Sequence, residues 1–416
     1  MEKTALVLGL GVSGKAALHF LRHLGYQVTG VDKKDLREDP SLGDVEILME
    51  KDFFSEKIFS KVIVSPGISL EHPIVKKALS QGSLVMGEVE LGFQYSKQKA
   101  VAITGTNGKT TVTELIEHAL RFCGKKAKAI GNVGFAVTEY FLNPDPEEIL
   151  VVELSSYQLE TLAHPFFDAA VILNITPDHL DRYDSFSHYG KTKARIQHCL
   201  KEEGELFLQE SVAEAFSSFF TKSFQVVEED KQLELGKLAE HDRCNLLSAW
   251  VLCHKMGVSA VDFIQALQTF KKPPHRIEFV RQIRGVSYYD DSKGTNIDAT
   301  IQAVKTMKGP VILIAGGVDK GSSYLPWKEA FSGKVKQIFV LGEAAEKIYA
   351  ELSLFLNVKI VDSLESAVQE ASRIALEGDT VLLSPGCSSF DMFRDYAHRG
   401  REFQRFVTLL DGEDHI

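Results

Sequence analysis

The residues with the clearest chemical purpose are Gly105-Thr106-Asn107-Gly108-Lys109-Thr110-Thr111, set between the apolar run Val101–Thr104 and a helix-like run reaching Phe122. Glycines at 105 and 108 leave the backbone free to aim N–H groups inward at phosphate oxygens. The helix that follows offers its positive end. Lys109 is placed to reach β- and γ-phosphates, and the Thr110 hydroxyl to face Mg²⁺, with Thr106, Asn107 and Thr111 completing the cradle. Only Thr106 and Asn107 separate the two glycines, where the common phosphate loop has four residues.

Other loops carry chemistry of the same kind. Glu153 ends the apolar run Ile149–Glu153, where a carboxylate beside a phosphate loop suits Mg²⁺, directly or through water. Asn174 to Tyr183, containing Asp178 and His179, follows the apolar run Ala169–Asn174 and reads as part of a crevice. Gly9-Leu10-Gly11-Val12-Ser13-Gly14, with Asp32 after the second strand, has the letters of a dinucleotide turn. NAD, another pyrophosphate such as that of a nucleotide sugar, and a ligand-free close-packed turn all stay open there. Three further loops leave apolar runs: Asp290 to Asn296, Gly316 to Gly321 and Ser384 to Asp391. They are expected at one edge of one sheet, where lysines and hydroxyls suit a carboxylate-bearing substrate.

Positioning these loops requires parallel strands covered by helices. Apolar runs alternate with helix-like segments through nearly all of the 416 residues, the pattern of an α/β chain. At about 150 residues per domain the length allows two or three domains. Polar Gly92–Lys99 and the Lys271-Lys272-Pro273-Pro274 stop place boundaries that give segments 1–92, 93–272 and 273–416. The acid-rich stretch Lys201–Glu240 reads as a solvated face. Lys and Arg number 47 against 57 Asp and Glu, a net charge of −10. No segment is basic, which argues against a nucleic-acid coat or an anionic-membrane binder but not against small anionic substrates. Five cysteines without C-x-x-C spacing read as reduced intracellular thiols. The start lacks a signal-peptide pattern and no run approaches membrane length, so a cytoplasmic chain, acting as a monomer, is the expectation.

In order along the chain stand GLGVSG, SPGIS, EVELGF, TGTNGKTT, GNVG, ELSSYQLE, NITPDHLDRY, KTKARI, PHRIE, DDSKGTN, GGVDKG and LLSPGCSSFDMF. This ordered set resembles the Mur ligase family over essentially the whole chain. The resemblance implies three domains, with Rossmann-like N- and C-terminal domains flanking a central P-loop ATPase domain with a mainly parallel sheet. It further implies an ATP-dependent enzyme that joins D-glutamate to UDP-N-acetylmuramoyl-L-alanine. By the same resemblance Val12, Ser13, Asp32, Lys33, Ser65, Pro66, Gly67, Asn132 and His179 belong to the UDP substrate. Thr110, Glu153, His179 and Lys193 surround two Mg²⁺ ions. Lys193 matches a lysine that is carbamylated in the family, becoming an anion; from its surroundings in sequence it reads as a helix-surface lysine. Lys109, His179 and Lys193 are the catalytic set. Asn245, Arg276, Asp291 and Lys293 join the phosphate loop in holding ATP, and Thr295, Lys320, Ser389, Phe390 and Tyr396 hold D-glutamate. Asp242 stands where the family repeats an asparagine, and Tyr396 where a phenylalanine is familiar. The Asp-Asn-Pro-Arg sequence of diaminopimelate-adding relatives is absent.

Three rival readings remain at this stage: an amide ligase with another acceptor, such as a folylpolyglutamate synthase; an NAD-dependent dehydrogenase; and a nucleotide switch without synthesis. GLGVSG and SPGIS weigh against the first, and the phosphate loop against the second. The third leaves DDSKGTN and GGVDKG without a task.

Overall fold

An apolar run of four to six residues is buried on both faces only when helices cover it, and three mainly parallel sheets are built on that principle. The computed structural model describes residues 3–53, 57–233, 235 and 240–410. The outermost ends of the first and last expected segments lie outside the described residues. The first sheet contains β1 (Thr4–Leu8), β2 (Gln27–Asp32), β3 (Glu46–Met49), β4 (Lys61–Val64) and β5 (Leu84–Gly87), in the order β3-β2-β1-β4-β5. Leu8 pairs with Val31 on one side and Val64 on the other. Gly9, Asp32 and Ser65 therefore emerge together at the carboxyl edge.

The second sheet contains β6 (Ala100–Thr104), β7 (Ala127–Gly131), β8 (Ile149–Glu153), β9 (Phe167–Ile172), β10 (Leu200–Leu208) and β11 (Gln225–Val226), ordered β11-β10-β9-β6-β8-β7. Ile103 pairs with Glu153 on β8 and with Val171 on β9. The phosphate loop thus leaves a strand flanked by the strands that deliver Glu153 and Asn174. Helix Lys109–Phe122 covers this region with Val112, Leu115, Ile116 and Ala119, one face at helical spacing, against Val101, Ile103, Val151 and Val171.

The third sheet contains β12 (Glu278–Ile283), β13 (Val286–Asp290), β14 (Val311–Gly316), β15 (Val335–Leu341), β16 (Val358–Ile360) and β17 (Thr380–Leu383), ordered β12-β13-β17-β14-β15-β16. Only the edge strand β12 is antiparallel. β17 lies between β13 and β14, so the three loops expected at one edge leave three neighbouring strands. The chain forms two compact units: Met1–Ile175 with Gly190–Phe270, and Thr176–Tyr189 with Lys271–Ile416. The first two sheets share one unit, and the Asp178–His179 segment belongs with the third sheet. Among the described residues no helix is long and apolar enough to cross a membrane.

One sequence reading requires correction. Lys201–Glu240 is not a solvated face throughout, because it begins inside β10. Glu202 and Glu203 are exposed, whereas Leu206, Phe207 and Leu208 are buried beside β9. The acids hid the strand by diluting its apolar half.

The first glycine turn is sterically closed. A Cβ on Gly14 would lie 1.8 Å from the Gly9 carbonyl oxygen and 2.9 Å from Ser65 Oγ. The oxygen is backbone and cannot swing aside. Gly14→Ala is therefore expected to destabilise the chain by about 1–3 kcal/mol, read as a lower urea midpoint. An unchanged midpoint would contradict the packing assigned to this turn.

Candidate functional site

Within the first unit, Gly105 and Gly108 take φ of 154° and 86°, values that a side chain would strain. Thr106 N–H donates to the Asn174 carbonyl at 2.9 Å and Asn107 N–H to Asn174 Oδ1 at 2.7 Å, while Asn174 Nδ2 returns a bond to the Asn107 carbonyl at 3.0 Å. One asparagine from the neighbouring strand end therefore clasps the phosphate loop. Lys109 Nζ donates to the carbonyls of Gly105 and Thr106, both at 2.9 Å. Asn245 comes against the same loop: a Cβ on Gly108 would lie 2.5 Å from its Oδ1.

Thr110, Glu153 and Lys193 are all buried. Glu153 Oε1 accepts from Asn132 Nδ2 at 2.7 Å, and Glu153 Oε2 is buried with no hydrogen-bond partner among the described residues. A buried carboxylate oxygen of that kind is costly unless it meets a cation. Lys193 Nζ donates to the Gly105 carbonyl at 2.7 Å. The sequence reading as a surface lysine is overturned, since only 1% of Lys193 is exposed.

At the first sheet, Leu10 N–H donates to Asp32 Oδ2 at 2.6 Å and Lys34 N–H to Asp32 Oδ1 at 2.9 Å. Ser65 Oγ donates to the Gly9 carbonyl at 2.6 Å. Asp32 and Ser65 thereby hold the turn that carries Val12 and Ser13, at the start of helix Val12–His23. Val12, Lys33 and Gly67 are exposed around it, with Pro66 half-buried.

In the second unit, Asp178 is buried and accepts from Lys320 Nζ at 3.1 Å and from Asn296 Nδ2 at 3.4 Å. Lys320 Nζ also reaches Thr295 Oγ1 at 3.4 Å. Two members of the expected D-glutamate set are thus brought together. Ser389 is buried beside a backbone bridge between Ser388 and Val318, whereas Phe390 is 74% exposed. Tyr396 lies under Lys293, whose Nζ stands 5.3 Å from the ring centroid. His179, with φ of 55°, lies 3.6 Å from Asp178 through Nε2.

Asp290 and Asp291 hold the His275–Ile277 segment that presents Arg276. Asp290 Oδ2 meets His275 Nδ1 at 2.6 Å and Gln404 Nε2 at 2.9 Å. Asp291 accepts from Ser384 Oγ at 2.7 Å and Ile277 N–H at 3.3 Å. His275 and Ile277 both sit in the left-handed region, at φ of 60° and 49°, a cost for a β-branched residue that only surrounding bonds sustain. Burial pushes Asp291 up to about 6, against the opposing pull of Arg276 and its two hydrogen bonds.

The chain matches three family descriptions: "Mur ligase MurD-like, N-terminal domain" over residues 3–87, "Mur ligase middle domain" over 103–252, and "Mur ligase, glutamate ligase domain" over 275–387. It is 46% identical to a UDP-N-acetylmuramoylalanine--D-glutamate ligase of Protochlamydia amoebophila, covering 98% of each chain. A protein of the same name from Caldanaerobacter subterraneus is 38% identical, over 98% of this chain and 99% of that one. This chain belongs to the Mur ligase family. Solved structures share its fold. A UDP-N-acetylmuramate-alanine ligase from Thermotoga maritima aligns at TM-score 0.61 and 18% identity, over 98% of this chain and all of that one. MurF from Acinetobacter baumannii aligns at 0.60 and 16%, over 97% and 90%.

Sequence reasoning missed the residue that organises the C-terminal loops of this Mur ligase. Arg399 is 3% exposed. Its guanidinium donates to Ser292 Oγ at 3.0 Å and to the carbonyls of Ser292 and Cys387 at 2.9 and 3.2 Å, and lies 3.4 Å from those of Gly316 and Ser388. It touches all three strand-end loops, and burial pulls its pKa down to about 10. The readable signal was its place on the buried stripe Arg399, Phe403, Val407 of helix Tyr396–Leu409. Gly400 beside it permits close approach, since a Cβ there would lie 2.2 Å from His275 Nδ1.

Two outcomes follow for this Mur ligase. Arg399→Met orphans several buried carbonyls and should cost on the order of 3 kcal/mol, with proteolysis opening the 316–321 and 384–391 loops first; wild-type resistance to unfolding and cleavage would contradict the role. Asp291 holds its proton to higher pH folded than unfolded. Its contribution to stability is full at low pH and falls as pH rises from about 4 through about 6. Asp291→Asn, which keeps an acceptor for Ser384, should thus gain on wild type in urea unfolding between pH 4.5 and 7. A constant difference across that range would remove the claim.

Proposed function

We infer that this chain is an ATP-dependent ligase joining D-glutamate to UDP-N-acetylmuramoyl-L-alanine in peptidoglycan precursor synthesis. Its end-to-end correspondence with the Protochlamydia amoebophila ligase of that name, at 46% identity, carries the reading. The chemistry follows from the substrates. A carboxylate resists attack by an amine because oxide is a poor leaving group. The substrate carboxylate therefore attacks the γ-phosphorus of ATP, ADP leaves, and an acyl phosphate forms. The D-glutamate amine adds to its carbonyl and gives up a proton, and phosphate leaves with the bridging oxygen as the carbon–oxygen bond breaks.

The phosphate loop, with Lys109 and the opening turn of helix Lys109–Phe122, holds the nucleotide tail and offsets charge on the transferring phosphoryl group. Asn245, Arg276, Asp291 and Lys293 complete the nucleotide site, and the Asp32 turn with Ser65 and Asn132 takes the UDP moiety. Lys320, Thr295 and Ser389 take the amino-acid carboxylates, and Phe390 and Tyr396 lend their rings to the same pocket. Thr110 and the unpartnered Glu153 Oε2 fit Mg²⁺, which when bound shields the phosphates and polarises the γ-phosphoryl. Carbamylation of Lys193 replaces a buried ammonium with an anion suited to a second Mg²⁺. Water would hydrolyse the acyl phosphate, so the reacting carbonyl must be kept dry. Cytoplasmic location and monomeric action complete the reading.

Phosphate release from ATP is expected to require both UDP-N-acetylmuramoyl-L-alanine and D-glutamate, with the product identified by mass. Equal turnover with another amino acid would overturn the acceptor assignment. Lys193→Ala should lose activity by about 100-fold or more, and bicarbonate should raise wild-type activity at low pH. A fully active Lys193→Ala enzyme would exclude carbamylation as a requirement.

A further inference from the structure

The joint between the first two sheets is built from groups that ordinary packing would avoid. Strand β5 leads directly into helix Glu88–Phe93, every residue of which is buried. The approach is close: a Cβ on Gly87 would lie 2.1 Å from Thr161 Oγ1, and one on Gly92 2.7 Å from Val137 Cγ1. Phe93 supplies the apolar contact, its ring centroid 5.2 Å from that of Phe167 and 5.4 Å from that of Phe166. Between these contacts stand two carboxylates, Glu88 and Glu90, each 2% exposed. Burying a carboxylate is costly, and an apolar side chain would bind such a joint at least as well. Hydrogen bonds add direction, fixing one register where apolar contact tolerates several.

Each carboxylate leads to a group at the phosphate loop. Glu88 Oε1 accepts from Thr138 N–H at 2.5 Å and from Thr138 Oγ1 at 2.7 Å. Thr138 stands in helix Val137–Tyr140, which anchors the end of the loop bearing Asn132. Asn132 holds Glu153 twice, through its side chain at 2.7 Å and through its N–H to the Glu153 carbonyl at 2.9 Å. Glu90 Oε2 accepts from Ala163 N–H at 2.9 Å, and its Oε1 pairs with His164 Nδ1. The residues just before, Leu159 and Leu162, offer carbonyls to Arg195 at 2.9 and 3.4 Å. Arg195 is two residues beyond Lys193, whose Nζ rests on the Gly105 carbonyl.

We propose that Glu88 and Glu90 are positioning residues that register the sugar-nucleotide sheet against the phosphate-transfer site, Glu88 through Asn132 to Glu153 and Glu90 through Arg195 to Lys193. This rests on the ligase reading above. A transfer between two separately bound nucleotides depends on the distance between their reacting ends, so a slack joint leaves each site able to bind while the reacting atoms miss one another.

The test uses the full chain with both nucleotides. Wild-type enzyme is assayed first for D-glutamate-dependent phosphate release; its absence would defeat the ligase reading, not the joint. Glu88→Ala, Glu90→Ala and Thr138→Val are then compared with Glu88→Gln, which keeps an acceptor for Thr138. The first three should lose about 100-fold in kcat, with KM for ATP and for the sugar nucleotide each within about threefold of wild type. Glu88→Gln should keep at least about a third of wild-type kcat. Folding is followed by circular dichroism, and if the alanine variants unfold, Thr138→Val and Glu88→Gln decide the matter alone. A wild-type kcat in Thr138→Val, a loss confined to one KM, or a Glu88→Gln as slow as Thr138→Val would overturn the proposal.

Discussion

Loops that bind ligands at the ends of parallel strands face a common difficulty. Their N–H and C=O groups need partners, yet the crevice must stay open. In each sheet of this chain a polar side chain from a neighbouring element supplies those partners from beneath. Asp32 does so for the glycine turn after β1, and Asn174 for the phosphate loop after β6. Arg399 does so for three loops at once in the third sheet. In the phosphate loop this support is shared with Lys109 and Lys193, whose Nζ atoms also rest on loop carbonyls. The rest of the site depends on this arrangement.

It also explains why the expected residues divide into two kinds. Lys109, Glu153, Lys193 and Lys320 present charge, from a helix start, a strand end, a helix and a loop. Asp291 was expected to meet nucleotide. Its carboxylate is bonded to Ser384 and to the Ile277 N–H, so it also shapes the backbone that carries Arg276. Asn132, though exposed, grips Glu153 through both its side chain and its N–H.

Much of this was legible in the sequence where local physics decides the outcome. The run Ile149–Glu153 became a strand with those bounds and Val101–Thr104 one that starts a residue earlier, because short runs rich in β-branched residues favour the pleated, buried surface of a sheet. The glycine turns were equally plain. What escaped was everything decided across the fold. Strand β12 is half-polar because one side is an open edge, so it offers no apolar run. The acids of β10 concealed its buried end. Lys193 read as a surface residue because nothing local shows that its helix turns that face toward Gly105. Arg399 was invisible for the same reason, since its acceptors lie on three loops, two of them 83 and 107 residues away in sequence. The family resemblance placed Lys193 where composition and periodicity did not.

The central claim is that a substrate carboxylate is activated as an acyl phosphate before the amine attacks. Its most direct test follows an oxygen atom. UDP-N-acetylmuramoyl-L-alanine labelled with heavy oxygen in the alanyl carboxylate is turned over with ATP and D-glutamate, and the released phosphate is analysed by mass. One labelled oxygen per phosphate released is the predicted result, because the carboxylate oxygen that attacks phosphorus must leave with it. Unlabelled phosphate, with both labelled oxygens lost to water or retained, would contradict the account.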